Sequence, residues 1–449
     1  MPYNIIIIKY DKLFLFEVHK IGIMSIQRLI IMIKKLTEKT VSLLLMLLFC
    51  AYLQGAQEKK IHQRETLHDI IRSSLELYTY KIGFIRLIPE VKWGFQYDSN
   101  VLSNNIEQIG DVVAQLGPAI EEKFAIRNIA LFRGYQYISY VYYRDLENLR
   151  NYPHTLDFSI TTGRKTLIIQ GTIGNNKGII RPSSETDIPA DQRLRYYDAS
   201  VKIPAPMNMD ITLFFNKHNY FFTDYYSFYG QSINEALSRD ETRYILEIQK
   251  PVTAKTNLFF HVSRELYQFD YNPFNRNYQG NQGYFGFVFD PKAHFTGYMK
   301  FGYKNLKPEN ETLQTFKGFI VSAAIEYRPV EYLKLKIDAL RQPMFSIYYE
   351  KNNYYVQNQF SFDIIWAFRD NQAIGAGYLI GNNTYPNPVF VELAEKLKDD
   401  YNEIRMSYTY KFRKDFYIES SVSYFRRDSN FQYFIRERLL FGITFKYSL

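Results

Sequence analysis

The chain has 449 residues, a formal charge of +9, 17% aromatics and a mean hydropathy of −0.30. Such hydropathy excludes a bundle of spanning helices, and a single cysteine, Cys50, excludes a disulfide framework or a cysteine-based metal site. Residues 1–56 carry seven Lys/Arg against three Asp/Glu, a net +4, which leaves a mild +5 for the rest and argues against a nucleic-acid partner.

Lys34, Lys35 and Lys39 precede an apolar run from Val41 to Tyr52, followed by Leu53-Gln54-Gly55-Ala56 and polar sequence. A basic segment, a short apolar segment and a small-residue exit describe a secretory signal peptide, cut between Gly55 and Gln57. The run is too short to anchor the chain as a spanning helix. Met32 is a better start for such a signal than Met1. Lipidation of Cys50 is disfavoured by Phe49, where a small residue is needed. The expected layout is therefore 1–56 as N-terminal extension and signal peptide, 57–88 as periplasmic lead-in, and 89–449 as one domain.

Weak helical spacing over 57–80 gives way to segments in which apolar and polar residues alternate. Their expected spans are 90–97, 111–121, 124–143, 155–162, 166–174, 195–204, 207–217, 241–250, 254–263, 283–290, 293–304, 316–328, 332–341, 356–369, 372–380, 402–413, 415–426 and 436–448. Ile404, Met406, Tyr408, Tyr410 and Phe412 on one face, against Arg405, Ser407, Thr409, Lys411 and Arg413 on the other, typify the pattern. Period two with one apolar face marks strands covered on one side, and about ten residues is what a tilted strand needs to cross a bilayer. Connections alternate in length. Glu121–Phe124, Gly163–Lys165, Ala205–Pro206, Pro251–Ala254, Asp290–Lys292, Arg328–Glu331, Arg369–Asn371 and Arg413–Lys414 are short, whereas Asn175–Leu194, His218–Asp240, Arg264–Gln282 and Gly381–Tyr401 are long. Short turns at one end and long loops at the other are the asymmetry of an outer-membrane barrel. The predicted fold is an all-β, transmembrane, antiparallel up-and-down β-barrel of about 18 strands (range 14–18), in contact with outer-membrane lipid. Pro204, Pro206, Pro251, Pro291 and Pro329 are expected at the short turns, and Trp93 with many tyrosines near strand ends.

Several segments resemble the outer-membrane β-barrel porin 2 family. They are Phe95-Gln96-Tyr97-Asp98-Ser99-Asn100-Val101 with Leu116-Gly117-Pro118; Phe301-Gly302-Tyr303 with Phe316-Lys317-Gly318 and Tyr327-Arg328-Pro329; and Tyr424-Phe425-Arg426-Arg427-Asp428-Ser429-Asn430. The resemblance spans roughly residues 85–449 and rests on the order of these short motifs. It implies an outer-membrane barrel of a Gram-negative cell, of a kind associated with exopolysaccharide systems. The last strand resembles the signal read by the barrel assembly machinery, here Gly442, Phe445 and Tyr447, and departs from it by ending in Leu449.

Catalysis finds little support. His218, His261 and His294 have no serine elbow beside them, and the loop acids Asp98, Glu185, Asp187, Asp399 and Asp400 read as solvated surface rather than as an acid–base pair. No enzyme activity, catalytic residue, metal site or cofactor is expected. A barrel of this size encloses an aqueous lumen. Alternation assigns Arg243, Glu247, Lys334, Lys336, Asp338, Asp363, Arg369, Arg405, Lys411, Arg438 and Lys446 to its lining. Cations predominate, so the expected function is a porin-like channel for small hydrophilic, anionic or saccharide solutes, with weak anion preference and a possible role in exopolysaccharide export. The competing class is a non-transporting surface protein, an adhesin or anchor, that uses loops such as 218–240 and 381–401. Oligomeric state is not readable from alternation.

Overall fold

The computed structural model describes residues 66–76, 80–164, 166–290, 293–350, 352–389, 395–413 and 415–449. The expected signal peptide lies outside these residues.

The described chain opens with α1 (Leu67–Glu76), capped by Thr66 and Asp69, each of whose backbone N–H groups donates to the other's side chain at 3.0 and 3.3 Å. Leu67 and Ile71, one turn apart, bury against Leu131 and Ala125. Twenty strands follow in one antiparallel sheet. They are β1 (Tyr80–Ile82), β2 (Ile85–Asp98), β3 (Asp111–Ile126), β4 (Ala130–Ile138), β5 (Tyr140–Tyr143), β6 (His154–Arg164), β7 (Leu167–Ile180), β8 (Ala190–Pro204), β9 (Asp210–Asp224) and β10 (Arg239–Thr253). The second half comprises β11 (Thr256–Phe269), β12 (Tyr278–Phe289), β13 (Phe295–Pro308), β14 (Phe316–Val330), β15 (Leu333–Phe345), β16 (Tyr354–Arg369), β17 (Gln372–Thr384), β18 (Lys398–Lys411), β19 (Phe416–Ser429) and β20 (Arg436–Ser448).

Each strand pairs with the next, and β20 returns to β2 in the register Trp93↔Phe445. Closure leaves no unpaired edge, the condition for strands to span lipid. The wall has 18 positions. The short hairpin arm β1 adds none, and β4 and β5 share one, both pairing with β3 around Ser139. All eighteen expected segments therefore correspond to wall strands.

Boundaries differ from expectation mainly at the long-loop end. The long connections shrink to 181–189, 225–238, 270–277 and 385–397, because the strands run on beyond the apolar belt. On the outer face a polar row crosses consecutive strands in register: Arg264, Asn281, Asn305 and Lys317 over β11–β14, then Arg341, Asn358 and Asn382 over β15–β17. Above this row the outer face turns polar, with Gln268, Gln279 and Lys307, while the inner face buries Tyr267, Tyr278, Leu306 and Phe316, so the apolar-out, polar-in alternation is lost while the backbone ladder continues. Below it the outer face exposes Phe260, Phe285, Phe301, Phe319, Phe360 and Trp366, as a lipid-facing belt requires. Pro251 and Pro329 lie within β10 and β14 beside register shifts rather than in the turns, where a missing N–H breaks no ladder bond.

Candidate functional site

Side chains on the face opposite the belt point into the barrel and form ion pairs and hydrogen bonds across its wall. Near the turn end Lys446 pairs with Glu90, Lys92 reaches Tyr135 Oη at 3.3 Å, and Glu121 holds Lys123 at 3.1 Å and Arg133 at 3.2 Å. Farther in, Tyr196 donates to Asp157 at 2.7 Å. Toward the loops, Glu241 binds Arg239 and Arg243, while Glu265 binds Lys304 at 2.6 Å.

Arg405 and Asp363 meet at 3.0 Å although β17 lies between their strands. The residue between them in register is Gly377, where a Cβ would stand 2.0 Å from Asp363 Oδ1. Glycine is what lets this pair cross a strand.

Of the residues expected to line the interior, Arg243, Glu247, Lys334, Lys336, Asp338, Asp363, Arg405, Lys411, Arg438 and Lys446 share the inward parity of their strands. Arg369 is the last residue of β16, paired with Gln372 across the turn and exposed. Glu247 faces His261 at 3.5 Å, Lys334 faces Glu326 at 3.4 Å, and Ser361 donates to Asp338 at 3.3 Å. Among the described residues, Lys336, Arg369 and Lys411 make no ion pair. Gly442 is inward, whereas Phe445 and Tyr447 face out, with Phe445 stacked on Trp93 at 5.3 Å. His218 pairs with Asp198 at 2.9 Å and His294 contacts the Arg328 carbonyl. Among the described residues no group of three or more His, Cys, Asp or Glu is arranged to hold a metal ion.

The loop end is a different environment. Residues 181–189, between β7 and β8, cross to the opposite side of the ring. Ser184 meets Asn383 and Gln357 at 3.0 and 3.3 Å. The fully buried Glu185 accepts from Ser346 Oγ and the Ile347 N–H, both at 2.7 Å. Arg427 donates to the Glu185 carbonyl at 2.8 Å and forms a buried ion pair with Asp399. Asp187 accepts from Arg438 at 3.2 Å and Ser103 at 3.1 Å, and Arg181 binds Asp98 at 3.0 Å. Asp98, Glu185, Asp187 and Asp399 are thus buried structural ligands, not solvated loop acids; Asp400 alone keeps to the outer parity.

Four other loops close around this crossing, and the five together bury an apolar cluster that includes Ile188, Phe228, Ile233, Ile347, Leu397 and Phe434. Burial pushes the Glu185 carboxyl up to about 7 even though Ser346 and Ile347 donate to it. Burial acts in the same direction on Asp187, but Arg181, Arg438 and Arg436 together outweigh it and hold that carboxyl below its usual range.

The sequence reading missed Arg181, Arg427 and Arg436 as members of this cluster. One signal was available: Arg436-Glu437-Arg438 alternates, which turns both arginines inward if Arg438 is inward.

The chain is similar to several solved porins. It covers 81% of itself and 95% of OccK3 (OpdO) from Pseudomonas aeruginosa at 11% identity and TM-score 0.46. It covers 81% of itself and 99% of a BenF-like porin from Pseudomonas fluorescens Pf-5 at 11% identity and TM-score 0.48. For the outer membrane protein opdK of Pseudomonas aeruginosa the figures are 81%, 99%, 8% and 0.49. A comparison with curated proteins found no match. The family model described as Putative beta-barrel porin 2 matches residues 184–447, more than half of the 449. Together with the closed wall and its lipid-facing belt, that match makes the chain a member of the β-barrel porin 2 family and a porin-like channel of the outer membrane.

Proposed function

We propose that the barrel passes small hydrophilic solutes with a weak preference for anions, acidic saccharides among them. The observation that carries this reading is the set of inward cations toward the turn end that form no ion pair among the described residues, Lys336 and Lys411, with Arg369 at the rim. The register neighbours of Lys336, Glu326 and Asp363, pair with Lys334 and Arg405 instead. Rings of such groups favour anions, whereas the paired cations elsewhere on the inner face leave little net field. Inward tyrosines, among them Tyr135, Tyr196, Tyr284 and Tyr417, add ring faces on which sugars stack.

The test is conductance of refolded residues 57–449 in a planar bilayer under a salt gradient. Open steps with an anion-side reversal potential are expected. Glutamate at Lys334, Lys336, Arg405 and Lys411 together should move that potential toward cations; an unchanged potential would remove these side chains from the path.

The loop crossing favours a second reading, in which the mouth is shut and the loops act at the cell surface. A folded but silent barrel would select it. A link to exopolysaccharide export rests on the family, and normal surface polysaccharide in cells lacking this barrel would argue against it. We further infer that Gly442, Phe445 and Tyr447 form the assembly signal, since the two aromatics lie on the outer face of the closing strand. Serine at Phe445 and Tyr447 should lower the amount of barrel in the outer membrane, and undiminished amounts would refute the assignment.

A further inference from the structure

Arg436 begins β20 under the loop cluster, and its side chain is 2% exposed. Its Nε and both Nη atoms have no hydrogen-bond partner. That separates it from the other strongly buried cations among the described residues. Lys123 has Glu121, Lys304 has Glu265, and Arg427 has Asp399 and two backbone carbonyls. Arg276 donates to the carbonyls of Tyr271 and Glu235. Directly opposite in register stands another cation, Arg427, and the acid whose field reaches Arg436, Asp187, is paired with Arg181 and Arg438 instead. The Arg436 guanidinium lies over the rings of Phe228 at 4.8 Å and Tyr229 at 5.8 Å.

A guanidinium stays charged at any physiological pH and offers five donors in a planar fork. Buried without an acceptor, and facing a second guanidinium, it lacks the compensation that buried charges otherwise have. Ring contacts return part of the lost solvation but satisfy none of the donors. The unmet donors of Arg436 match a compact group with several acceptor oxygens and negative charge. The surroundings narrow the carrier of that group. Tyr229 is 47% exposed while Phe228 beside it is 2% exposed, so an aromatic surface leads inward from the mouth to Arg436. Aromatic faces beside a guanidinium suit a sugar ring bearing a carboxylate, with C–H faces on the rings and the carboxylate in the fork.

We propose that Arg436, flanked by Phe228 and Tyr229, is an oxyanion-binding site that takes the carboxylate of an acidic saccharide at the loop-end mouth. The proposal rests on the anionic-solute reading above and deepens it. A free inorganic oxyanion shares the chemistry, and the experiment separates the two sources.

The full chain, folded in detergent, is melted with sodium glucuronate, glucose, sodium phosphate or sodium chloride at matched ionic strength. Ligand that binds only the folded state raises the melting temperature in proportion to its occupancy. Glucuronate is expected to raise it and glucose and chloride are not. Half of the effect should come at a lower concentration for glucuronate than for phosphate; the reverse order would overturn the saccharide in favour of the free ion. Arg436→Met should abolish the anion response, and Arg436→Lys, which keeps charge but loses the fork, should weaken it about tenfold. If wild type does not respond, or if both variants respond as wild type does, Arg436 is only a packing cation and the proposal fails. Should Arg436→Met not fold, the lysine variant decides alone. Melting needs no conduction, so a silent barrel would leave this result standing, and a missing melting response would leave conduction untouched.

Discussion

The wall below the polar row and the crown of loops above it are held together by opposite means. In the wall, each strand is fixed by ladder bonds to both neighbours, its outer side chains meet lipid, and its inner ones form half-exposed ion pairs such as Arg405 with Asp363. In the crown, irregular segments from five loops bury an apolar cluster and fully dehydrated charges, Arg427 and Asp399 among them, as the interior of a globular domain does. A solvated pair can be lost cheaply because water replaces each partner. A dry pair cannot lose one partner without stranding the other. The crown is therefore where single polar substitutions should act most strongly, although the wall contains most of the backbone bonding.

The largest expected effect comes from Arg427→Ala, which strands Asp399 and frees the Ser184 and Glu185 carbonyls. A cost of about 3–5 kcal/mol is expected, read as a lower melting temperature with faster protease cleavage within 181–189. Cleavage and melting like wild type would mean the crown is not anchored there. Next is Ile364→Arg in the belt, where a charge meets lipid at about 2–4 kcal/mol. That loss should appear in urea refolding into bilayers; if the variant refolds as well as wild type, the outer face is misassigned.

The pH dependence of the crown distinguishes the regions further. Because the Glu185 carboxyl is pushed up to about 7 from 4.5, burial disfavours its charged form. Docking of 181–189 is then fully stabilised below about pH 4.5, weakens as pH rises through 7, and levels off above it. The span is worth on the order of 3 kcal/mol. Protection of the 181–189 amides, with exchange corrected for its intrinsic pH dependence, should fall over that interval in wild type and stay flat in Glu185→Gln. A wild-type profile without slope would contradict the assignment. The smallest effect is expected from Gly377→Val, which would part Asp363 from Arg405 in the wall. Since both are partly exposed, the cost should be about 0.2–1 kcal/mol, yet the reversal potential should shift. A melting change comparable to that of Arg427→Ala would show that wall pairs matter as much as crown pairs.

Legibility in the sequence follows the same division. Expected strand ends such as 263 in β11, 304 in β13 and 341 in β15 stop at or beside the polar row, because alternation exists only where one face meets lipid. Inward parity of Lys334, Arg405 or Lys446 was readable for the same reason. The fates of Glu185 and Asp187 were not, since nothing local distinguishes a solvated loop acid from one that meets Ser346 or Arg438, more than 150 residues away.

By itself, the sequence determined the barrel: about eighteen strands, their order, the end that carries the loops and the alternation of faces along the lipid belt. These follow from a period of two imposed by lipid on one side and water on the other, which each strand registers independently of its neighbours. Only the tertiary structure decided that 181–189 crosses the ring, that Asp98, Asp187 and Asp399 find arginines, and that Arg436 finds no hydrogen-bond acceptor. Ring closure brings β7 opposite β16, and the encounters it creates at the mouth depend on side chains too distant in sequence to leave any periodic trace.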